Sequence, residues 1–368
     1  MSYLERVDAR LAAIAADHRT RTVEPWQPRG DVIDFSSNDY LALSKDPQVV
    51  AAFRQAKRVG SGGARLLGGR HREHSLLEEE LAAWLGRERA LIFSSGYLAA
   101  LGAIAVLGSV VDRIVSDRLN HASLIDGMRA TGLPRTIFPH ARPPRSDAEP
   151  ALYVSETLFS MDGDTIDPAR LLATLGPDDV LLLDEAHALG VYGVEGAGLA
   201  NGLRDERVVI LGTLSKALGA LGGFVAGPAR LIDLIANAAR PFIFDTALPP
   251  SIALAARVAL VLARKADDRR AHLRALAVRL RAGLMTHGIA SGGEAASPIV
   301  PILIGDEEAA LLTARLLLSK NIYAPAVRPP TVPPDTSRLR VSLRSDIRVE
   351  DVDALVREAS RGTSFERS

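Results

Sequence analysis

Seven short apolar runs recur between residues 89 and 244, and stretches with helical spacing of apolar residues separate them. The runs lie at residues 90–93, 113–115, 136–138, 152–154, 180–183, 208–211 and 224–226. Runs of this length are typical of strands that are buried on both faces, as in parallel sheets. Their alternation with helices predicts an α/β fold with a doubly wound, mostly parallel sheet.

The pattern along the 368-residue chain predicts three parts. Residues 1–45 form an N-terminal arm, which begins with apolar residues at helical spacing, and the start of a small lobe. Residues 46–285 form a large domain, and residues 286–368 form a small α+β domain. In the small domain we expect strands near residues 299–304 and 339–343 and helices near residues 307–318 and 352–360.

The composition excludes several classes of partner and site. The 44 basic residues balance 44 acidic ones, so the chain lacks the global field that gathers nucleic acid or an anionic membrane. The absence of cysteine excludes disulfides, thiolate metal sites and a cysteine nucleophile. The uncharged residues 90–111 are interrupted by turn formers, and the N-terminus lacks the apolar core of a signal peptide. We therefore expect a cytoplasmic protein without nucleic-acid, membrane or metal partners.

Polar side chains follow two of the predicted strands at their carboxyl ends. Asp184-Glu185-Ala186-His187 follows the run 180–183, and Thr213-Leu214-Ser215-Lys216 follows the run 208–211. In open α/β sheets, ligands bind beyond the carboxyl ends of the strands, so these residues lie where a binding site is expected. The acidic stretch by itself is equally compatible with a loop that only caps the next segment.

Lys216 and Asp184 together suit one cofactor. Lys216 lies between apolar runs, an environment that lowers the pKa of an amine and favours Schiff-base formation. Asp184 supplies a carboxylate that can keep a pyridine nitrogen protonated, so that the ring accepts electrons. Because pyridoxal 5'-phosphate requires an amine for its aldehyde and a carboxylate for its ring nitrogen, we predict that the chain binds this cofactor.

Further candidate contacts also follow predicted strands. Residues 94–97, Ser-Ser-Gly-Tyr, open a helix whose free backbone N–H groups suit a phosphate, and Thr213 and Ser215 can add hydroxyl donors. His121 follows the run 113–115, although taken alone it is better explained as an ordinary histidine at a helix start. The glycine loop at residues 60–65 departs from both nucleotide-binding fingerprints, so it is either a flexible loop or a backbone held close to a ligand.

Six ordered motifs resemble those of the α-oxoamine synthases, which are fold-type-I, aminotransferase-like pyridoxal phosphate enzymes. The motifs lie at residues 35–41, 60–63, 120–123, 160–164, 184–187 and 213–216. The resemblance implies the decarboxylative condensation of an amino acid with an acyl thioester. The run Arg328-Pro329-Pro330-Thr331-Val332-Pro333, followed by Arg338-Leu339-Arg340, is most similar to members that join L-alanine to a pimeloyl thioester in biotin biosynthesis. The resemblance leaves open whether coenzyme A or a carrier protein bears the acyl group.

The resemblance also implies roles for individual residues. Lys216 holds the cofactor covalently and then acts as the base. Asp184 pairs with the pyridinium nitrogen, and His187 hydrogen-bonds the ring oxygen. His121 stacks on the ring face and can donate a proton to the thioester oxygen. The remaining implied cofactor contacts are Gly96, Tyr97, Ser160, Thr213 and, across the interfacial active site of a homodimer, Thr246 of the partner subunit.

The implied substrate contacts come from both ends of the chain. Arg340 is implied to bind the amino-acid carboxylate, with Asn38 beside it, because a guanidinium offers paired donors in a fixed fork. Arg19, Arg328 and Thr331 match other positions that contact the substrate.

Four positions depart from the family pattern. Ala42 and Ala64 stand where glycine and serine are usual, and Ala100 stands where asparagine is common. Asp245 replaces the serine before Thr246. Because a carboxylate repels a phosphate, we expect the Asp245 side chain to point away from it.

Two rival functions stay open. A sister enzyme that joins glycine to acetyl or succinyl coenzyme A uses the same motifs. A non-catalytic subunit on the same fold would be expected to lack Lys216 or Asp184, and both are present. Glu185, between the two proposed ring contacts, is expected to face away from the site.

Overall fold

The computed structural model describes residues 1–16, 19–20, 31–55, 57–147 and 149–363. Residue contacts divide the chain into two units, Met1–Val32 and Ile33–Ser368. The first unit contains helix α1 (Tyr3–Ala16), as the helical spacing predicts. The second unit contains the strands and helices described below. The three-part division at residues 45 and 285 stays a prediction.

The seven predicted apolar runs all form strands of one sheet, β2 to β8. All strands of the described residues are, in chain order, β1 (Ile33–Asp34), β2 (Arg89–Phe93), β3 (Arg113–Asp117), β4 (Arg135–Phe138), β5 (Ala151–Glu156), β6 (Val180–Asp184), β7 (Val208–Thr213), β8 (Gly223–Gly227), β9 (Ile299–Gly305), β10 (Ile322–Tyr323), β11 (Ala326–Val327) and β12 (Ser337–Ser342). The large sheet has the order β2-β8-β7-β6-β5-β3-β4. Its strands are parallel except β8, which runs antiparallel to both of its neighbours. The predicted mostly parallel sheet is confirmed.

Helices follow most of these strands and cover the sheet. After α1 they are α2 (Pro47–Arg54), α3 (Arg72–Leu85), α4 (Gly96–Leu107), α5 (Ala122–Thr131), α6 (Pro168–Leu172), α7 (Ala229–Ala238), α8 (Arg240–Ile243), α9 (Pro250–Arg264), α10 (Asp267–Thr286), α11 (Glu307–Ser319) and α12 (Val349–Thr363). The uncharged residues 90–111 thus divide between β2 and α4. Within the described ranges, no helix is long and apolar enough to cross a membrane.

Both faces of β6 are buried, which explains its uninterrupted apolar sequence. Leu181 and Leu183 belong to a hydrophobic cluster that includes side chains of α3, α9 and α10. Leu182 points to the opposite face and belongs to a second cluster, which includes side chains of α4, α5 and α7. Because a fully buried leucine contributes about 1.5–3 kcal/mol, the centre of the sheet is a strongly stabilised platform for the loops at its edge.

Two smaller sheets, one of three strands and one of two, bring the two ends of the second unit together. β12 lies between β11 and β9 in an antiparallel arrangement, and β1 pairs in parallel with β10. The Phe35 N–H donates to the Tyr323 carbonyl at 2.9 Å, and the Phe35 carbonyl accepts from the Ser342 N–H at 2.7 Å. These bonds hold the segment after β1 against the end of β12. The predicted strands and helices of residues 299–360 are confirmed as β9, β12, α11 and α12.

Three charged side chains connect the end of β3 to the loop after β5. His140 Nδ1 lies 3.1 Å from both carboxylate oxygens of Asp117, and its Nε2 lies 2.6 Å from Asp164 Oδ2. Partial burial lowers the pKa of His140, but the hydrogen bonds to Asp117 and Asp164 outweigh it and raise the pKa to about 10. The histidine is therefore a cation at neutral pH, and both ring nitrogens donate.

We expect His140→Asn to lower the melting temperature most near neutral pH and below. Because the pKa of His140 in the folded chain is raised above its ordinary value of 6.5, the protonated ring stabilises the fold fully below about pH 6.5. This contribution is lost as the pH rises through about 10. Thermal unfolding of the parent and the variant should therefore give melting temperatures that converge over this range.

The matched control is His287→Asn, which changes an exposed histidine after α10 and should alter the melting temperature little at any pH. A difference between the parent and His140→Asn that does not narrow with rising pH would contradict the account.

Candidate active site

A cavity of about 250 Å³ lies at the carboxyl ends of β5, β6 and β7. It is lined by seven of the residues predicted to bind the cofactor, Gly96, Tyr97, His121, Asp184, His187, Thr213 and Lys216. A larger groove of about 950 Å³ lies between α10 and α12 and is lined by none of the predicted site residues. The concentration of ionisable side chains, and not size, locates the candidate site.

One wall of the cavity is the start of α4. The Ser95 side chain caps this helix by accepting from the Leu98 N–H at 3.2 Å, and the first turn contains no acidic residue. Thr213 packs against Gly96, and its hydroxyl lies 2.7 Å from the Ser215 hydroxyl. Free N–H groups at a helix start, together with two hydroxyls, form a favourable site for a phosphate.

Asp184 and Lys216 line the same cavity and affect each other's ionisation. Burial raises the pKa of Asp184, although the charge of Lys216 and the Ala186 N–H, 2.9 Å from Oδ1, oppose that shift. Burial lowers the pKa of the Lys216 amine, although the carboxylates of Asp184 and Glu156 oppose it. The lowered pKa of Lys216 agrees with its predicted environment.

Glu156 also lines this cavity, although it was not among the predicted site residues. It is the last residue of β5 and lies beside Asp184 in the register of β5 and β6. Its side chain is buried, and its Oε1 makes no hydrogen bond within the described part of the chain. Burial raises the pKa of Glu156 well above its ordinary value, and the neighbouring Asp184 charge raises it further. The sequence feature that could have indicated Glu156 is that β5 and β6, which are neighbours in the sheet, both end in an acidic residue.

Glu185 faces away from the cavity, as predicted. Its buried carboxylate accepts from the Leu199 N–H at 2.8 Å and from the Ala200 N–H at 2.7 Å. Burial raises the pKa of Glu185 to about 7, and these hydrogen bonds oppose the shift. This side chain therefore binds the loop after the short 3₁₀ helix Val194–Gly196 to the end of β6.

The two predicted histidines have different surroundings. His187 is buried, and its Nδ1 lies 2.7 Å from the Tyr40 hydroxyl. His121 is exposed at the cavity mouth and caps α5, where its Nδ1 lies 2.8 Å from the Ser123 hydroxyl. His121 thus both caps a helix and lines the cavity, and its proposed role toward the cofactor stays a prediction.

Arg340 extends from the small sheet and contacts two other predicted residues. Its Nη1 donates to Asn38 Oδ1 at 3.0 Å, and its Nε donates to the Ser160 carbonyl at 2.6 Å. Nη1 also donates to the Ser342 hydroxyl at 2.6 Å. The buried Nη2 makes no hydrogen bond to the described residues. Arg340 therefore has a fixed orientation and one donor nitrogen available to an anion.

The other predicted residues do not line the cavity. Thr246 is exposed, and its backbone pairs with that of Ala64. Asp245 accepts a hydrogen bond from the Ser94 hydroxyl, which holds its carboxylate outside the cavity. The Thr331 N–H donates to the Arg328 carbonyl at 3.1 Å, and Arg19 belongs to the unit Met1–Val32. The proposed roles of Thr246, Arg328, Thr331 and Arg19 stay predictions.

The structure shows the surroundings of three positions that depart from the family pattern. Ala42 has a φ of 52°, in the left-handed region that favours glycine, which accounts for the usual glycine at this position. Ala100 is fully buried in the second hydrophobic cluster, on α4. Ala64 takes part in the backbone pairing with Thr246.

Comparison with known proteins identifies the family. The family model described as aminotransferase class I and II matches residues 30–358. An 8-amino-7-oxononanoate synthase of Anaeromyxobacter dehalogenans is 43% identical over 376 residues, which cover 96% of this chain and 94% of that protein. The chain belongs to the 8-amino-7-oxononanoate synthase family. A further member, from Cellvibrio japonicus, is 44% identical and covers 84% of this chain and 81% of its own length.

Solved structures agree with this membership. An 8-amino-7-oxononanoate synthase from Francisella tularensis is 26% identical, with a TM-score of 0.79, and covers 92% of this chain and 99% of its own. Serine palmitoyltransferase from Sphingomonas wittichii is 28% identical, with a TM-score of 0.88, and covers 98% of this chain and 97% of its own. The predictions of a fold-type-I architecture, of the family and of a pyridoxal phosphate-dependent acyltransferase are confirmed.

We expect Gly223→Ala to damage the wall formed by α4. A Cβ atom at residue 223 would lie 2.3 Å from Gly96 Cα and 2.5 Å from Gly96 N, so the helix start must move. Overpacking of this kind costs about 1–3 kcal/mol, so we expect about 5- to 150-fold weaker binding of pyridoxal 5'-phosphate, measured by absorbance titration.

Gly68→Ala is the matched control, because a Cβ there meets no atom within 4 Å. The control should bind the cofactor as the parent does. Equal affinity of the parent and Gly223→Ala would show that the start of α4 does not hold the phosphate.

Proposed function

We propose that this protein condenses L-alanine with a pimeloyl thioester to give 8-amino-7-oxononanoate, carbon dioxide and the free thiol, in biotin biosynthesis. The observation that carries the proposal is the placement of Asp184 and Lys216 in one cavity, in a chain 43% identical to such a synthase over nearly its whole length. The solved neighbours include a serine palmitoyltransferase with pyridoxal phosphate bound. We assign the same cofactor to this cavity.

The chemistry of the cavity fits that cofactor. The start of α4 and Thr213 suit its phosphate, and the buried carboxylate of Asp184 suits a protonated ring nitrogen. We assign Gly96, Tyr97 and Thr213 to the phosphate, with Thr246 of the partner subunit in a homodimer. His121 would lie on the ring face, His187 at the ring oxygen, and Ser160 near the cofactor through the loop that Arg340 holds.

When bound, pyridoxal phosphate withdraws electrons from the α-carbon of the amino acid and so makes its proton acidic. The residues of this chain then have separate tasks. Burial lowers the pKa of Lys216, which favours the neutral amine, and we assign to its Nζ the removal and later return of the α-proton. The Asp184 carboxylate keeps the ring nitrogen protonated, and that positive charge offsets the burial of Asp184.

Arg340 is proposed to bind the alanine carboxylate. Its Nε and Nη1 are held by the Ser160 carbonyl and Asn38, while the buried Nη2 is available. A guanidinium suits a carboxylate because charge-assisted hydrogen bonds are stronger than neutral ones. Arg19, Arg328 and Thr331 are proposed to contact the acyl substrate or its carrier.

The reaction balances without an oxidant or reductant. A carbon–carbon bond forms between the α-carbon of alanine and the thioester carbonyl carbon, and the thiolate leaves and is protonated. The former alanine carboxylate departs as carbon dioxide, and its electron pair is protonated at the same carbon. His121, at the cavity mouth, is proposed to donate a proton to the thioester oxygen. A cytoplasmic location is part of the proposal.

To test the proposal, the purified protein with pyridoxal phosphate is assayed with either L-alanine or glycine, and with pimeloyl, acetyl or succinyl coenzyme A as the acyl donor. We expect 8-amino-7-oxononanoate from alanine and much slower product formation from glycine. Lys216→Ala removes both the covalent attachment point and the base, so we expect a loss of about 10²–10⁴-fold or more in turnover.

Lys45→Ala changes an exposed lysine and is the matched control, which should keep the parent turnover. Preference for glycine would favour the sister enzyme, and no turnover with either amino acid would favour a non-catalytic subunit. Parent-like turnover of Lys216→Ala would contradict the assignment of the base.

A further inference from the structure

Tyr40 contacts a residue of the cavity wall, His187, and has no role in the proposed reaction. It lies in the segment after β1, is fully buried, and places its hydroxyl oxygen 2.7 Å from Nδ1 of His187. His187 lines the cavity, whereas Tyr40 lies behind it. Because a histidine ring has two nitrogens, a partner fixed on Nδ1 decides what the other nitrogen can offer to a ligand.

The surroundings of Tyr40 decide which atom donates. Its single hydroxyl proton has two possible acceptors, His187 Nδ1 at 2.7 Å and Asn38 Oδ1 at 3.3 Å. Asn38 Oδ1 already accepts from Arg340 Nη1 at 3.0 Å and from the Ser342 hydroxyl at 3.2 Å. The shorter contact and the unoccupied acceptor are both on the histidine side, so the hydroxyl proton points to Nδ1.

The charge state of His187 agrees with an acceptor at Nδ1. Burial lowers the pKa of His187 well below its ordinary value, and the positive charges of Lys216, Arg340 and His121 lower it further. Burial also raises the pKa of Tyr40 to about 12, although the nearby Arg340 opposes that shift, so the hydroxyl keeps its proton. A neutral ring that accepts at Nδ1 carries its proton on Nε2.

We propose that Tyr40 is a positioning residue that holds His187 in the neutral form with the proton on Nε2, so that this N–H serves the cavity as a hydrogen-bond donor. The inference rests on the proposed function, because the acceptor for this donor is the phenolic ring oxygen of pyridoxal phosphate. In the other tautomer, Nε2 would present a lone pair to that oxygen, and the two would repel.

Tyr40 also lies close to the proposed carboxylate-binding residues. Asn38 Oδ1 lies 3.3 Å from the Tyr40 hydroxyl oxygen and accepts a hydrogen bond from Arg340 Nη1. Tyr40→Phe removes the hydroxyl and keeps the ring, so the packing of the buried side chain is retained. The change should therefore alter the properties of the bound cofactor before any amino acid is added.

The first test is nuclear magnetic resonance of the protein labelled with ¹⁵N-histidine, with and without pyridoxal phosphate. The chain has 8 histidines, and His187→Ala identifies the signal of His187. We expect the parent to show the neutral tautomer with the proton on Nε2, and Tyr40→Phe to show a mixture of tautomers. An unchanged His187 tautomer in Tyr40→Phe would overturn the inference.

The second test is the affinity for pyridoxal phosphate in a double-mutant cycle. One hydrogen bond contributes about 1 kcal/mol, so Tyr40→Phe should weaken binding about fivefold. The same change in the His187→Ala background should have no further effect, because the partner is already absent. Tyr153→Phe, at a buried tyrosine of β5 that does not line the cavity, is the matched control and should bind normally.

The outcomes separate this inference from the proposed function. An equal loss of affinity in both backgrounds would show that Tyr40 does not act through His187 and would overturn the inference alone. Failure of the parent itself to bind pyridoxal phosphate would overturn the proposed function. The tautomer of His187 in the protein without cofactor would still decide whether Tyr40 controls the ring.

Discussion

The site depends on charged side chains that are buried at the carboxyl ends of adjacent parallel strands. The register of β5, β6 and β7 places Glu156 beside Asp184 and Asp184 beside Leu211, so the loop that carries Lys216 starts at the same edge. Burial raises the pKa of both carboxyls and lowers that of the lysine. These groups are costly to bury in the folded chain alone, and the proposed ligand, with a protonated ring nitrogen beside Asp184, would offset part of the cost.

A second set of side chains reaches the site from the ends of the second unit. β1 pairs with β10, and the Phe35 carbonyl accepts from the Ser342 N–H, so the segment with Asn38 and Tyr40 lies against β12. Arg340 on β12 then contacts Asn38 and the Ser160 carbonyl, and thereby joins the small sheet to the loop after β5. The His140 cation also contacts Asp164 of that loop. The loop is thus held at two positions by charge-assisted hydrogen bonds, which gives the proposed catalytic groups a preorganised frame.

The sequence carries the information for the sheet and for the centre of the site, because both depend on local patterns. Residues 180–183 of β6 are all apolar since both faces of the strand are buried; Asp184 ends this strand, and Lys216 lies in the loop after β7. Glu156 was missed because its importance comes from the lateral register of two strands, which is a tertiary property. Tyr40 and His187 are 147 positions apart, and only the pairing of β1 with β10 and the packing of that segment bring them within 2.7 Å. A contact between distant segments leaves no periodic signal in the chain.

The central claim is that this edge of the sheet holds pyridoxal phosphate through Lys216. Reduction of the cofactor-loaded protein with borohydride, followed by digestion and mass spectrometry of the peptides, tests it directly. The account predicts that the reduced pyridoxyl group is found on the peptide that contains Lys216 and on that lysine alone. A label on another lysine, or unlabelled Lys216 in protein that has bound the cofactor, would contradict it.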